Sequence, residues 1–201
     1  DVIDISKIQS GDIQLNKTQC YLNKLLLDLY VSFSIQIEND SKKEIHLSMH
    51  KGSRIKDFAI ITDPVRLKQI LYNLIENAVK FTTKGFVEFG YTLLEEDNKI
   101  QFYVIDSGIG ISNEKFDMIY DLFRQADESF TREYGWTGIG LSIAKKIVHH
   151  LGGEIWVQST PEQGTNIYFT LPYEKPESKF DLEEISSENI FNWQNKVVLI
   201  A

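Results

Sequence analysis

Cysteine is almost missing from this 201-residue sequence, where Cys20 stands alone. No intramolecular disulfide and no cysteine-based zinc site can form, a reducing compartment is the natural setting, and Cys20 reads as a small core residue. Basic excess is missing too. Lys and Arg number 21 against 29 Asp and Glu, a net charge of −8, which argues against nucleic acid as a partner while leaving room for a local basic cluster that holds a phosphate. No run of about 18 apolar residues and no signal-peptide pattern occurs, so no direct membrane contact is expected of this stretch. Repeats and low-complexity tracts are absent, as is an initiating Met. The sequence opens on Asp1 and closes on the apolar run Val197–Ala201, so both ends are expected to continue in a longer protein.

What is present is ample for a packed core, at 42% hydrophobic and 12% aromatic. The most informative stretch is Asp63–Thr82, which reads as one amphipathic helix. Asp63 suits the N-cap and Pro64 the first helical position, where its missing N–H costs nothing. Leu67, Ile70, Leu71, Leu74, Ile75, Ala78 and Phe81 fall in one apolar arc. Beside that arc Asn73, Asn77 and Lys80, spaced i, i+4 and i+7, form a narrow polar stripe. Asn is a poor mid-helix residue, so two of them one turn apart point to a role beyond the helix itself.

Around this helix the chain is read in order. Val2, Ile5 and Ile8 have helical spacing and Ser10-Gly11 ends the pattern. A helix is predicted over Cys20–Phe33, then strands over Glu44–Met49 and Phe58–Thr62. Strands Phe86–Leu94 and Lys99–Ile105 form a hairpin across Glu95–Asn98. A long irregular region, Ser112–Thr137, carries a short helix near Lys115–Phe123, and its length favours a functional lid. Gly138–Leu151 is a further helix stopped by Gly152-Gly153, followed by strands Glu154–Ser159 and Thr165–Leu171. From Glu174 to Asn195 the composition is that of an acidic linker. The expected architecture is an α/β two-layer sandwich, a mixed sheet with helices on one face.

Two glycine clusters are weak signals alone. Asp106-Ser107-Gly108-Ile109-Gly110 occurs in many turns, and Gly135–Leu141 precedes a helix whose N–H groups could approach a phosphate. Neither is a dinucleotide fingerprint, and no Gly-x-x-x-x-Gly-Lys-Ser/Thr loop exists. Their order is far more specific: Asn73-x-x-x-Asn77-x-x-Lys80, Asp106-x-Gly108-x-Gly110, Phe123, Gly138-x-Gly140, Gly164-Thr165. Over roughly Gln14–Tyr173 this closely resembles the nucleotide-binding domain of sensor histidine kinases, within the wider family that includes gyrase-type, Hsp90-type and mismatch-repair ATPases.

The resemblance implies a Bergerat-type ATP-binding fold with ATP and Mg2+ as cofactors. Asp106 would accept from the adenine amine, Gly108 and Gly110 would let the backbone close on the base, and Thr165 would support its edge. Phe81 is left between covering the base and packing in the core. Asn77 would be the metal ligand, with Asn73 and Lys80 the catalytic positions beside metal and phosphate. Gly138, Gly140 and Leu141, with Arg124, Gln125 and Arg132 from the lid, would complete the phosphate side. The resemblance also implies residues 1–12 as the end of a dimerisation and phosphoacceptor helix, 13–173 as the catalytic domain, 174–195 as linker and 196–201 as the start of a receiver domain. Partners would be those two domains and a second copy, in the cytoplasmic part of an inner-membrane hybrid sensor.

Two departures carry information. Trp136 stands where the family usually has a second glycine, which leaves open a non-catalytic nucleotide-sensing or docking module. Asn73 stands where ATP-hydrolysing relatives carry a catalytic Glu, which disfavours a stand-alone ATPase of the gyrase or chaperone kind. None of His46, His50, His149 and His150 lies in a phosphate-receiving helix pattern, so the acceptor is expected upstream of Asp1.

Overall fold

The computed structural model describes residues 14–111 and 139–176. The expected helix ends over residues 1–12 and 115–123, the linker beyond Pro176 and the strand at 196–201 lie outside the described residues.

The described chain begins with strand β1 (Thr18–Tyr21) and helix α1 (Leu22–Glu38). Periodicity places a helix over Cys20–Phe33, but Cys20 belongs to a strand. Thr18 pairs with Thr62 and Tyr21 with Ala59, antiparallel to β3 (Ala59–Thr62), so backbone pairing outcompetes helix extension at this end. At the other end α1 continues past Phe33 because Ile37 prolongs the same buried stripe of Leu22, Leu25, Leu26, Leu29 and Phe33. Cys20 is buried as expected, and its thiol is pushed up to about 11, first by burial and then by the Asp63 carboxylate, so it is chemically quiet.

Helix α2 (Pro64–Phe81) is the expected amphipathic helix. Asp63 caps it: Oδ1 accepts from the N–H groups of Val65 and Arg66 at 3.1 Å each, and Oδ2 accepts from Asn16 N at 2.9 Å. Such a cap contributes about 1 kcal/mol. Leu67, Ile70, Leu71, Leu74 and Ile75 are all fully buried. Phe81 departs from the expected arc: it is only half-buried, and Val79 takes its place in the core.

The main sheet holds β2 (Glu44–His50), β4 (Lys84–Leu94), β5 (Lys99–Asp106), β7 (Gly164–Pro172) and β6 (Ile155–Thr160) in the order β2-β4-β5-β7-β6. Only β2 and β4 run parallel, which makes the sheet mixed. The expected strand at Phe58–Thr62 is not part of it; β3 pairs only with β1, in a separate two-stranded sheet. Alternation sets the buried face, with Val87, Phe89 and Tyr91 on β4, Ile100, Phe102 and Val104 on β5 and Ile167, Phe169 and Leu171 on β7. The opposed pair Phe102 and Phe169 stacks with ring centroids 4.8 Å apart.

These side chains form one core with the apolar faces of α1, α2 and α3 (Ile139–His150). The result is the expected two layers. Gly152, at φ +81, ends α3 in the left-handed region, and Gly153 N–H returns to Val148 O at 2.9 Å. His149 and His150 lie in the last turn, where a cation is favoured.

Candidate functional site

The site has two ends. At one, β5 ends on Asp106, whose neighbours across the sheet are Val87 on β4 and Thr165 on β7. A strand end in mid-sheet is buried, and Asp106 is only 8% exposed. Its Oδ1 accepts from Gly108 N at 2.8 Å and Thr165 N at 3.3 Å. Both bonds use the same oxygen, which leaves Oδ2 able to accept from a ligand amine. Burial pushes the carboxyl up to about 6 despite the opposing pull of the Gly108 and Thr165 N–H groups.

The loop after Asp106 is fastened on both sides. Ile109 N donates to Phe81 O at 3.4 Å, and a Cβ on Gly108 would lie 2.5 Å from that carbonyl, so the loop sits directly against the end of α2. On the far side Ile111 N donates to Ser159 Oγ at 2.8 Å and Glu162 N to Ile109 O at 2.8 Å. Gly110 has φ +66, and a side chain there would strike Thr160 O at 2.1 Å.

Ser159 completes the arrangement. Its hydroxyl donates to Gly164 O at 2.8 Å and lies 3.0 Å from Thr165 Oγ1. With its one proton on Gly164, Ser159 accepts from Thr165, and the Thr165 oxygen keeps its own acceptor capacity.

At the other end Asn73, Asn77 and Lys80, all half-buried, line a cleft of about 420 Å3 whose rim includes Gly140 at the start of α3. Asn73 Nδ2 donates to Gly140 O at 3.3 Å. A Cβ on Gly140 would stand 3.7 Å from Asn73 Cβ and 3.9 Å from Asn77 Nδ2, ordinary contact distances. Lys80 Nζ lies 5.7 Å from the centre of the Phe81 ring.

The structure therefore brings Asn73, Asn77, Lys80 and Gly140 to one cleft, and Asp106, Gly108, Gly110 and Thr165 to one corner. Phe81 joins the two through its carbonyl. Leu141 is a buried core residue of α3. Gly138, Arg124, Gln125, Arg132 and Trp136 lie outside the described residues, as does Phe123. Sequence reading missed Ser159 and Lys43, which also lines the cleft. A serine at a strand end and a lysine in a polar loop carry no local signal; only the fold brings them to the site.

The donor set can be compared with the expected cofactors. Among the described residues no group of three or more His, Cys, Asp or Glu could cage a metal. Magnesium keeps waters and phosphate oxygens and needs few protein ligands. Asn77 offers one amide oxygen of the required hard type. A buried carboxylate with one oxygen uncommitted is likewise fitted to an amine, not to a carbonyl.

A mixed sheet with helices on one face, a strand-end Asp over a glycine loop and an asparagine-bearing helix beside the start of α3 define a nucleotide-binding class. Residues 62–175 match the family described as histidine kinase-, DNA gyrase B-, and HSP90-like ATPase, and the chain belongs to that family. Among curated relatives it is 34% identical over 189 residues to the sensor histidine kinase GacS of Pseudomonas protegens, covering 92% of this chain. The chain spans less than a third of the length of these curated relatives, 20% in that case and 24% for the sensor kinase/phosphatase LuxQ of Vibrio vulnificus. Among solved structures, the catalytic domain of the histidine kinase ThkA superposes with a TM-score of 0.66 at 27% identity, covering 79% of this chain and 97% of that one. Full-length ShkA in complex with AMPPNP superposes with a TM-score of 0.74 at 25% identity, covering 87% of this chain and 35% of that one. The fold is that of the ATP-binding catalytic domain of sensor histidine kinases.

Proposed function

We propose that this domain binds Mg-ATP with the base at Asp106 and the phosphates along Asn73, Asn77 and Lys80, and presents the γ-phosphoryl group to a histidine on a partner helical domain. The observation that carries this reading is Asp106: a buried carboxylate with one oxygen held by two N–H groups and the other open to an exocyclic amine. Guanine would set a carbonyl oxygen against that carboxylate. Magnesium would be held by Asn77, supplying charge neutralisation on the phosphate oxygens. Lys80 adds a point charge and Asn73 orients, so the domain acts by positioning and electrostatics. The histidine nitrogen would bond the γ-phosphorus as its bond to the bridging oxygen breaks, releasing ADP. Asn73 carries no carboxylate with which to activate water.

The same reading makes the helical phosphoacceptor domain and a receiver domain the partners, in a dimeric, membrane-associated hybrid sensor. The names of the relatives, sensor histidine kinase GacS and sensor kinase/phosphatase LuxQ, support a sensor kinase setting. Calorimetry with ADP and with ATP, each with and without Mg2+, tests binding, and a radiolabelled transfer assay with a supplied phosphoacceptor domain tests the chemistry. Saturable Mg-dependent ATP binding and transfer in trans are expected. No binding at millimolar nucleotide would overturn the reading, and steady hydrolysis without an acceptor would replace it with an ATPase.

A further inference from the structure

The carbonyl oxygens at the end of α2 are all spoken for. Ala78 O accepts from Thr82 N at 3.1 Å. Val79 O, Lys80 O and Thr82 O accept from Lys43 Nζ at 2.9, 3.0 and 2.7 Å. Thr83 O accepts from Glu44 N at 2.8 Å. The remaining carbonyl is that of Phe81, which receives Ile109 N and against which Gly108 is pressed. An ammonium has three N–H donors, and Lys43 commits all three to the carbonyls that flank Phe81.

Lys43 is itself held in place. Its N–H donates to Asp40 O at 2.9 Å, and Glu44, the next residue, opens the parallel ladder with Lys84. Burial lowers the pKa of its ammonium and the Asp40 carboxylate opposes that shift. The charge is therefore partly desolvated, and its bonds to the helix end are stronger than they would be in water.

We propose that Lys43 is a positioning residue for adenine recognition: it fixes the carbonyls on either side of Phe81, and so sets the seat on which Gly108 and Ile109 rest and from which Asp106 reads the base. Lys43 touches no part of the nucleotide in this role. The inference rests on the nucleotide-binding reading and extends it to a residue separated from Asp106 in sequence by β2, β3, α2 and β4. A lysine that only balanced the helix dipole would add a little stability and leave the loop where it stands.

The test compares wild type with Lys43→Met, Lys43→Arg and, as an exposed neighbour, Lys42→Met. Amide resonances of Gly108 and Ile109 are recorded by 1H–15N spectroscopy in the empty domain, and affinities for ADP and GDP are measured by calorimetry. Lys43→Met is expected to shift both amides, weaken ADP about tenfold and narrow the preference for ADP over GDP. Lys43→Arg should restore most of each, and Lys42→Met should match wild type. Lys43→Gln, with two N–H donors, gives the intermediate case if Lys43→Met does not fold. A lower melting temperature with unchanged Gly108 and Ile109 resonances and unchanged base preference would overturn the proposal. Failure of wild type to bind ADP would instead sink the nucleotide reading, and the amide shifts of the empty domain would still decide whether Lys43 sets the loop.

Discussion

The two ends of the site are built differently. Around Asp106 almost every polar atom is committed to the fold: the carboxylate to two N–H groups, Ser159 to three partners, the loop glycines to close backbone approach. Among the described residues little is committed around Asn77. One bond of 3.3 Å joins Asn73 to Gly140, and the side chains are half-buried over an open cleft. The end assigned to the base is also part of the structural frame, whereas the end assigned to the phosphates can change without disturbing the core. Recognition of a flat base needs a rigid edge, and a metal with its waters and phosphates tolerates a looser one.

The largest effect should follow a change at the committed end. Gly164 has φ +100, and a Cβ there would stand 1.9 Å from Asp106 O, in backbone that cannot move without breaking the β5–β7 pairing. Gly164→Ala is expected to cost more than about 3 kcal/mol, read as a fall in the urea midpoint at unchanged slope. An unchanged midpoint would show that the corner is less rigid than its contacts imply.

Asp106→Asn separates the two roles of one side chain. Losing a charged acceptor should weaken ADP by about 10- to 150-fold, equivalent to 1.5–3 kcal/mol. The empty domain should respond in the opposite sense. A carboxyl raised from 3.8 to about 6 favours its protonated form in the fold. Its contribution to stability is fully present below about pH 4 and lost as pH rises through 6, roughly 3 kcal/mol in all. Asp106→Asn should therefore unfold at higher denaturant than wild type at pH 8, with the gap closing toward pH 4. Adenosine affinity of wild type should fall as pH drops below 6, while that of Asp106→Asn stays flat. A flat wild-type profile would place the titrating group elsewhere.

Sequence alone reaches different depths at the two ends for a physical reason. The phosphate end rides on one helix, and a 3.6-residue period places Asn73, Asn77 and Lys80 together without knowledge of the fold. Asp63 and Pro64 likewise mark the helix start by local chemistry that the structure bears out. The base end is assembled from β5, β7, the β6–β7 turn and the end of α2. Asp106, Gly108 and Gly110 are legible as a motif, but Ser159 and Lys43 are not, since their roles depend on pairing between distant strands. The same cause explains β1: its four residues have no strand signal until β3 lies beside them. The helical period assigns Phe81 to the apolar arc, and the last turn of a helix is where that period is least binding.

Asn77→Ala tests the looser end. An exposed-face Asn in mid-helix costs some tenths of a kcal/mol relative to Ala, so the empty domain should be as stable as wild type or slightly more so. Mg-ATP should bind about tenfold more weakly, whereas ATP in the presence of a chelator should bind both proteins alike. A loss of stability comparable with that of Gly164→Ala would erase the contrast between the two ends.

The smallest effect is expected at Gly140, and it is the sharpest discriminator. A methyl there meets Asn73 and Asn77 only at 3.7–3.9 Å, so packing between α2 and α3 does not require glycine. Ala also gains up to about 1 kcal/mol of helix propensity over Gly. If the residue served only the fold, Gly140→Ala would be neutral or stabilising in every respect. If its bare backbone serves a phosphate at the start of α3, the variant should melt at or above the wild-type temperature yet bind ATP a few-fold more weakly, with adenosine affinity unchanged. Equal loss for adenosine and ATP would move the role of Gly140 from the phosphates to the shape of the cleft as a whole.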